Sequence, residues 1–134
     1  MSTHPPRWEL ALWAGLALAC SALVSWPMAA NLSTHSLVGL SNPDLITSIW
    51  WYEQVAQSLA TLSDPFTTDQ LLYPLGTHIG ANIWNAGAPL AAAPLTWALG
   101  PIGGLNAAAI VFTAMTGALS GHGVRRLGGD RISA

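Results

Sequence analysis

The sequence predicts an all-α membrane protein. Two transmembrane helices are joined by a large extracytoplasmic loop that carries an interfacial amphipathic helix and a proline-broken apolar segment. Three observations predict this class. Of 134 residues, 51% are hydrophobic and only 7% are charged, against roughly 25% charged in ordinary soluble domains. Four basic and six acidic side chains cannot give a body of this length a polar skin. The few charges are also segregated. The arginines Arg7, Arg125, Arg126 and Arg131 lie at the two ends, while Asp44, Glu53, Asp64 and Asp69 lie in the middle.

The same arithmetic excludes other classes. A net charge of −2 without a single lysine leaves no basic surface for nucleic acid. One cysteine, Cys20, excludes an intramolecular disulfide and a cysteine metal cluster. There is no glycine-rich phosphate loop, nucleophile elbow or paired-histidine metal motif.

Residues 1–9 form a short N-terminal segment, and the first apolar run covers 10–30. About 20 residues at ~1.5 Å each cross a ~30 Å hydrocarbon core. Trp8 and Trp26 flank this run at the depth indole rings prefer. A cleaved signal peptide competes with this reading, because Arg7 precedes the run. The run is long for a signal, and Met28-Ala29-Ala30 is a poor cleavage site. Around Cys20, Ala17-Leu18-Ala19 is a weak lipoprotein signal.

Residues 31–102 form the loop. Asn42-Pro43-Asp44 starts a helix over about 43–62, with Asn as N-cap, Pro at the first helical position and an acid in the first turn. Leu45, Ile49, Tyr52, Ala56 and Leu59 recur at helical spacing, which makes one wide apolar face for an interface or a bundle. Ser63-Asp64-Pro65 stops the helix. Phe66 to Pro74 reads as a short element of about one helical turn, and Leu75 to Asn85 reads as a loop. The apolar stretch 86–99 contains Pro89 and Pro94 and is about 14 residues long, which favours an interfacial or re-entrant segment.

The second span covers 103–124. Its small residues, from Ala107 to Gly121, permit close helix approach in lipid. Arg125 and Arg126 close it and open the C-terminal segment 125–134. Two crossings keep both arginine-bearing ends cytoplasmic, whereas a third would export the Arg125-Arg126 pair against the positive-inside rule.

Asp44 is the most informative acid. A carboxylate just outside the first span suits a general base, a metal ligand or a cation-binding group, although an Asp in a first turn also simply stabilises the helix dipole. Asp64 before Pro65 is a common turn residue. Asp69, between threonine and an apolar run, fits either a helix start or a site. His35 and His78 are far apart in sequence, and a metal site from them and an Asp would be a guess. Trp50, Trp51 and Trp84 fit interfacial anchors, with sugar stacking as the alternative use.

The order SNPDLITSIW, DPFTTDQLLYPLG, APL…APLTWALGP and a helix closing in Arg-Arg-Leu resembles the N-terminal part of bacterial integral-membrane glycosyltransferases of the GT-C type. The resemblance runs from about Leu10 to Leu127. It implies a transferase of the bacterial cytoplasmic membrane that takes its sugar from a polyprenyl-phosphate donor and passes it to an extracytoplasmic acceptor. It implies Asp44, the carboxylate that opens the first outer loop, as the catalytic base or substrate-positioning group, and Asp69, Tyr73 and Trp84 as substrate-binding residues. Whether a divalent metal takes part is left open. Such transferases have many more spans and longer chains, so the resemblance implies an N-terminal segment, inactive alone, whose partners are the bilayer, the lipid-linked sugar and further transmembrane helices. The non-enzymatic alternative is a small two-span protein that seats Ala107–Gly121 on a larger membrane partner.

The topology has a direct test. Reporter fusions at residue 60 and after residue 130 are expected to report opposite sides of the membrane. The same side for both overturns the two-crossing arrangement.

Overall fold

A computed structural model describes residues 7–36, 43–80 and 86–127. It is mostly helical. Helix α1 is Arg7–Val24, α2 is Pro43–Thr61 and α3 is Gly87–Arg126, with a 3₁₀ turn at Met28–Ala30. Two short strands, β1 (Thr67–Thr68) and β2 (Thr77–His78), pair antiparallel with Thr67 opposite His78 and Thr68 opposite Thr77. The chain divides into two compact units. One comprises Met1–Ala30 with Ala109–Ala134, the other Asn31–Ala108.

In the first unit, α1 runs antiparallel to the C-terminal part of α3. Arg125 Nη2 lies 3.6 Å from Glu9 Oε2, and a Cβ on Gly117 would lie 3.3 Å from the Ala17 Cβ. Glu9 sits in the first turn of α1 and Arg125 in the last turn of α3, so each charge complements its own helix dipole as well as its partner. On α3 the side chains of Ile110, Ala114 and Ala118 are buried, while Val111, Met115 and Leu119 are exposed. On α1, Ser21 is buried while Leu12, Leu16 and Leu23 are exposed. Small residues inside and large apolar residues outside invert the order of a helix pair in water. Helix α3 is long and apolar enough to cross a membrane, and α1 is a shorter apolar helix.

The helix expected over 10–30 starts earlier and ends at Val24. Pro27 explains the early stop. It has no N–H to donate, and it disfavours the helical region for the residue before it. Ser25 still closes a helical turn on Ser21, after which the chain tightens through Trp26 onto the Leu23 carbonyl.

In the second unit, Trp51, Val55 and Ile79 form the apolar centre, with Trp50, Leu59, Phe66 and Ala86 packed on it. The Trp51 and Phe66 rings lie 5.8 Å apart. Trp97 Nε1 donates to the Ala56 carbonyl at 2.9 Å, fastening the first part of α3 to α2. The expected helical turn over Phe66–Pro74 is instead the β1 strand and its loop. Two adjacent β-branched threonines favour extended backbone, and a two-residue strand shows no readable alternation.

The apolar stretch 86–99 is helical and is not broken at its prolines. Pro89 lies in the first turn of α3, where its missing N–H costs nothing, and the helix continues through Pro94. The break comes at Gly100, with φ 76° and ψ 173°, a region open in practice to glycine alone. Pro101 then starts the second part of α3 with no N–H to leave unpaired. Ser33 Oγ donates to the Leu99 carbonyl at 3.0 Å. Asn106, itself buried, donates to the carbonyls of Leu32 and His35. Gly104 lets Thr96 approach closely, since a Cβ there would fall 2.3 Å from Thr96 Oγ1.

Two glycine substitutions in α3 should therefore differ in sign. Gly100→Ala is expected to destabilise by ~1–3 kcal/mol through backbone strain. Gly123→Ala, helical and with open space around it, is expected to stabilise by ~0.5–1 kcal/mol. Denaturant unfolding in detergent micelles measures both, and equal effects would contradict the break at Gly100.

Candidate functional site

The second unit carries a polar cleft of about 620 Å³. Helix α2 contributes Gln54, Gln57, Ser58 and Thr61, the following turn Ser63 and Asp64, and the hairpin Thr67, Thr68, Asp69 and Gln70. All of these side chains are polar, in a chain that is 51% hydrophobic. The α2 members fall at helical spacing, so one stripe of the helix faces the cleft. The neighbouring stripe, through Trp51 and Val55, enters the apolar centre.

Internal hydrogen bonds hold the walls. Trp50 Nε1 donates to Gln70 Oε1 at 2.7 Å, which ties the hairpin to α2. Thr68 Oγ1 accepts from the Gln70 amide at 3.2 Å. Thr61 Oγ1 lies 2.9 Å from Ser63 Oγ. Gly76 closes the hairpin with φ 67°, and a Cβ there would come 3.0 Å from the Thr68 carbonyl oxygen. Only glycine meets both demands.

The two acids of the cleft differ. Asp64 is committed to the turn. Its Oδ1 accepts from the Phe66 amide at 3.0 Å, and its Oδ2 accepts from Thr67 Oγ1 at 2.8 Å. The Phe66 bond first and the Thr67 bond second hold its pKa below the usual aspartate value. Asp69 is exposed at the end of β1, and no hydrogen bond among the described residues engages its carboxylate. A wall of amides and hydroxyls with one available carboxylate can accept and donate to several hydroxyls at once. That chemistry suits a polyhydroxylated ligand.

Of the expected catalytic and substrate-binding residues that are described, Asp69 alone lines this cleft. Asp44 is exposed in the first turn of α2, where its carbonyl accepts from Ser48 Oγ at 2.7 Å. At ~1.5 Å per residue, it lies about 15 Å along the helix axis from Gln54. Tyr73 is 82% exposed in the loop between β1 and β2 and does not line the cleft. Trp84 lies outside the described residues. His35 is paired with Thr34 Oγ1 at 2.9 Å, and the His78 ring stacks on Phe66. Among the described residues, no three His, Cys, Asp or Glu side chains converge as metal ligands. The bare possibility of a metal site from His35, His78 and an Asp therefore gains no geometric support. The expected sites did not include Gln54, Ser58, Thr67, Thr68 and Gln70. The polar stripe on α2 was visible in the spacing, but the hairpin that faces it was not.

Compared with known protein families, curated proteins and solved structures, the chain matches none. The site therefore stands on its own geometry.

Asp64 makes the hairpin acid-sensitive, and the sign follows from its depressed pKa. Its stabilisation is fully present above the unfolded value of about 4 and is lost as pH falls through the lower folded value. In an acid titration followed by NMR, the Phe66 amide is expected to lose protection below about pH 4. Asp64→Asn should flatten that response. An unchanged response in the variant would remove Asp64 from this role.

Proposed function

We propose that this chain is a segment of a multi-pass membrane glycosyltransferase that transfers a sugar from a polyprenyl-phosphate donor to an extracytoplasmic acceptor. The observation that carries the reading is the cleft lined by polar residues and holding Asp69, on a small folded unit that follows one apolar helix in sequence and includes the start of the next. A ligand rich in hydroxyls fits such a cleft, and a lipid-linked donor brings its sugar to a membrane surface. The resemblance of the motif order to GT-C enzymes points the same way.

In this reading the arginine-bearing ends are cytoplasmic and residues 31–102 are the outer loop. The Glu9–Arg125 contact supports an even number of crossings, because it joins the start of α1 to the end of α3. Asp69 holds substrate hydroxyls in the cleft. Asp44, by its match to the first acid of the GT-C outer loop, is the base and acts outside the cleft. The alternative of a small two-span protein assigns the stripe Ala107–Gly121 to a partner. Gly117 packs against Ala17 of this chain's own α1, which favours the first reading.

The test is sugar transfer by the membrane enzyme containing this segment, in proteoliposomes with a polyprenyl-phosphate sugar. Asp44→Asn is expected to lower kcat by about 10²–10⁴-fold, the usual worth of a general base, with insertion unchanged. Asp69→Asn is expected to raise KM more than it lowers kcat. Full activity of Asp44→Asn removes the base from this position, and an unchanged KM in Asp69→Asn removes the cleft from substrate binding.

A further inference from the structure

The loop between β1 and β2 has the wrong surface for water. Leu71, Leu72, Tyr73, Pro74 and Leu75 follow one another, and all five are exposed. Leu72 is 73%, Tyr73 82% and Leu75 92% exposed. Single exposed leucines are ordinary, but adjacent ones on one tip are not. Tight loops in water are built from Gly, Asn, Asp and Ser instead. No Asp, Glu, Lys or Arg follows in the sequence until Arg125.

We propose that this tip inserts into the interfacial layer of the bilayer, as an anchor separate from the helices. The proposal rests on the membrane reading above. Several features favour lipid as the occupant. The apolar side chains succeed one another without a gap, so they do not form the single stripe that a grooved protein partner would need. A fluid medium takes side chains pointing in any direction. Tyr73 has an apolar ring and a polar tip, the combination preferred at headgroup level. The hairpin is also held beside the start of the apolar helix, since Ile79 just after β2 and Ala86 just before α3 belong to one apolar cluster.

The backbone sets the depth. Within the tip, the Leu75 amide bonds to the Leu72 carbonyl at 2.9 Å. Other non-helical amides and carbonyls need water or headgroups, so the tip stays in the interface and does not enter the hydrocarbon centre. Asp69, two residues before the tip, then meets the headgroup layer and not bulk water.

Depth-dependent fluorescence quenching tests this on the full chain in phosphatidylcholine–phosphatidylglycerol vesicles. With Cys20→Ser as background, single cysteines replace Leu72, Leu75, Gln57 or Leu119 and carry an environment-sensitive dye. Labels at 72 and 75 are expected to be blue-shifted and to lose most of their emission to a lipid spin label placed just below the headgroups. The label at 57 should instead be quenched by aqueous iodide. Iodide quenching at 72 and 75, with lipid quenching retained at 119, overturns the anchor and leaves the membrane reading standing. Shielding of 72 and 75 from both quenchers means that protein covers the tip, which also overturns the proposal. Iodide quenching at 119 as well overturns the membrane reading together with the anchor.

Discussion

A helix that changes direction in an apolar chain leaves carbonyls without partners, and the second unit is organised around one such change. At Gly100 the backbone leaves the helical region, and Pro101 brings no N–H to the next turn. The Leu99 carbonyl is taken up by Ser33 Oγ. The space for that bond depends on Gly103, where a Cβ would come 3.0 Å from Ser33 Oγ. Asn106 takes two further carbonyls from the segment after the 3₁₀ turn. One hydroxyl, one amide and two glycines thus fix how residues 31–36 join α3 within the second unit. Water is the usual solution for orphaned backbone groups. Here side chains supply the partners, and so the turn is tied to specific residues.

The second theme is economy of charge. Among the few ionisable groups described, several have distinguishable duties. Asp64 is spent on the turn that aims the hairpin at α2. Glu9 and Arg125 are spent on each other and on two helix ends. Asp69 is the acid of the cleft whose carboxylate serves no turn among the described residues. That difference separates Asp69 from the acids committed to the fold.

Much of the helical part was legible from the sequence. Pro43 and Asp44 announce the start of α2, and Ser63-Asp64-Pro65 its stop, because caps and breakers act through local backbone chemistry. The early end of α1 was equally readable at Pro27, but the apolar run continues past it, and hydropathy alone does not register a missing N–H. Pro89 and Pro94 mislead in the opposite direction. Their effect depends on where the first helical turn falls and on neighbours that tolerate a missing bond. The hairpin was hidden for a different reason. Thr67-Thr68 pairs with Thr77-His78 across an apolar loop, and two-residue strands carry no periodicity. The cleft was therefore half visible, as the stripe Gln54, Gln57, Ser58 and Thr61, without the wall that faces it.

The Glu9–Arg125 contact also has a meaning in time. A ribosome completes Glu9 on the order of a hundred residues before it reaches Arg125, an interval of ~10 s at ordinary rates of synthesis. Throughout that interval α1 exists without the helix whose end neutralises its acid. The contact between the helices is thus completed late, after residues 31–108 have been made, when the closing of one ion pair joins α1 to the end of α3.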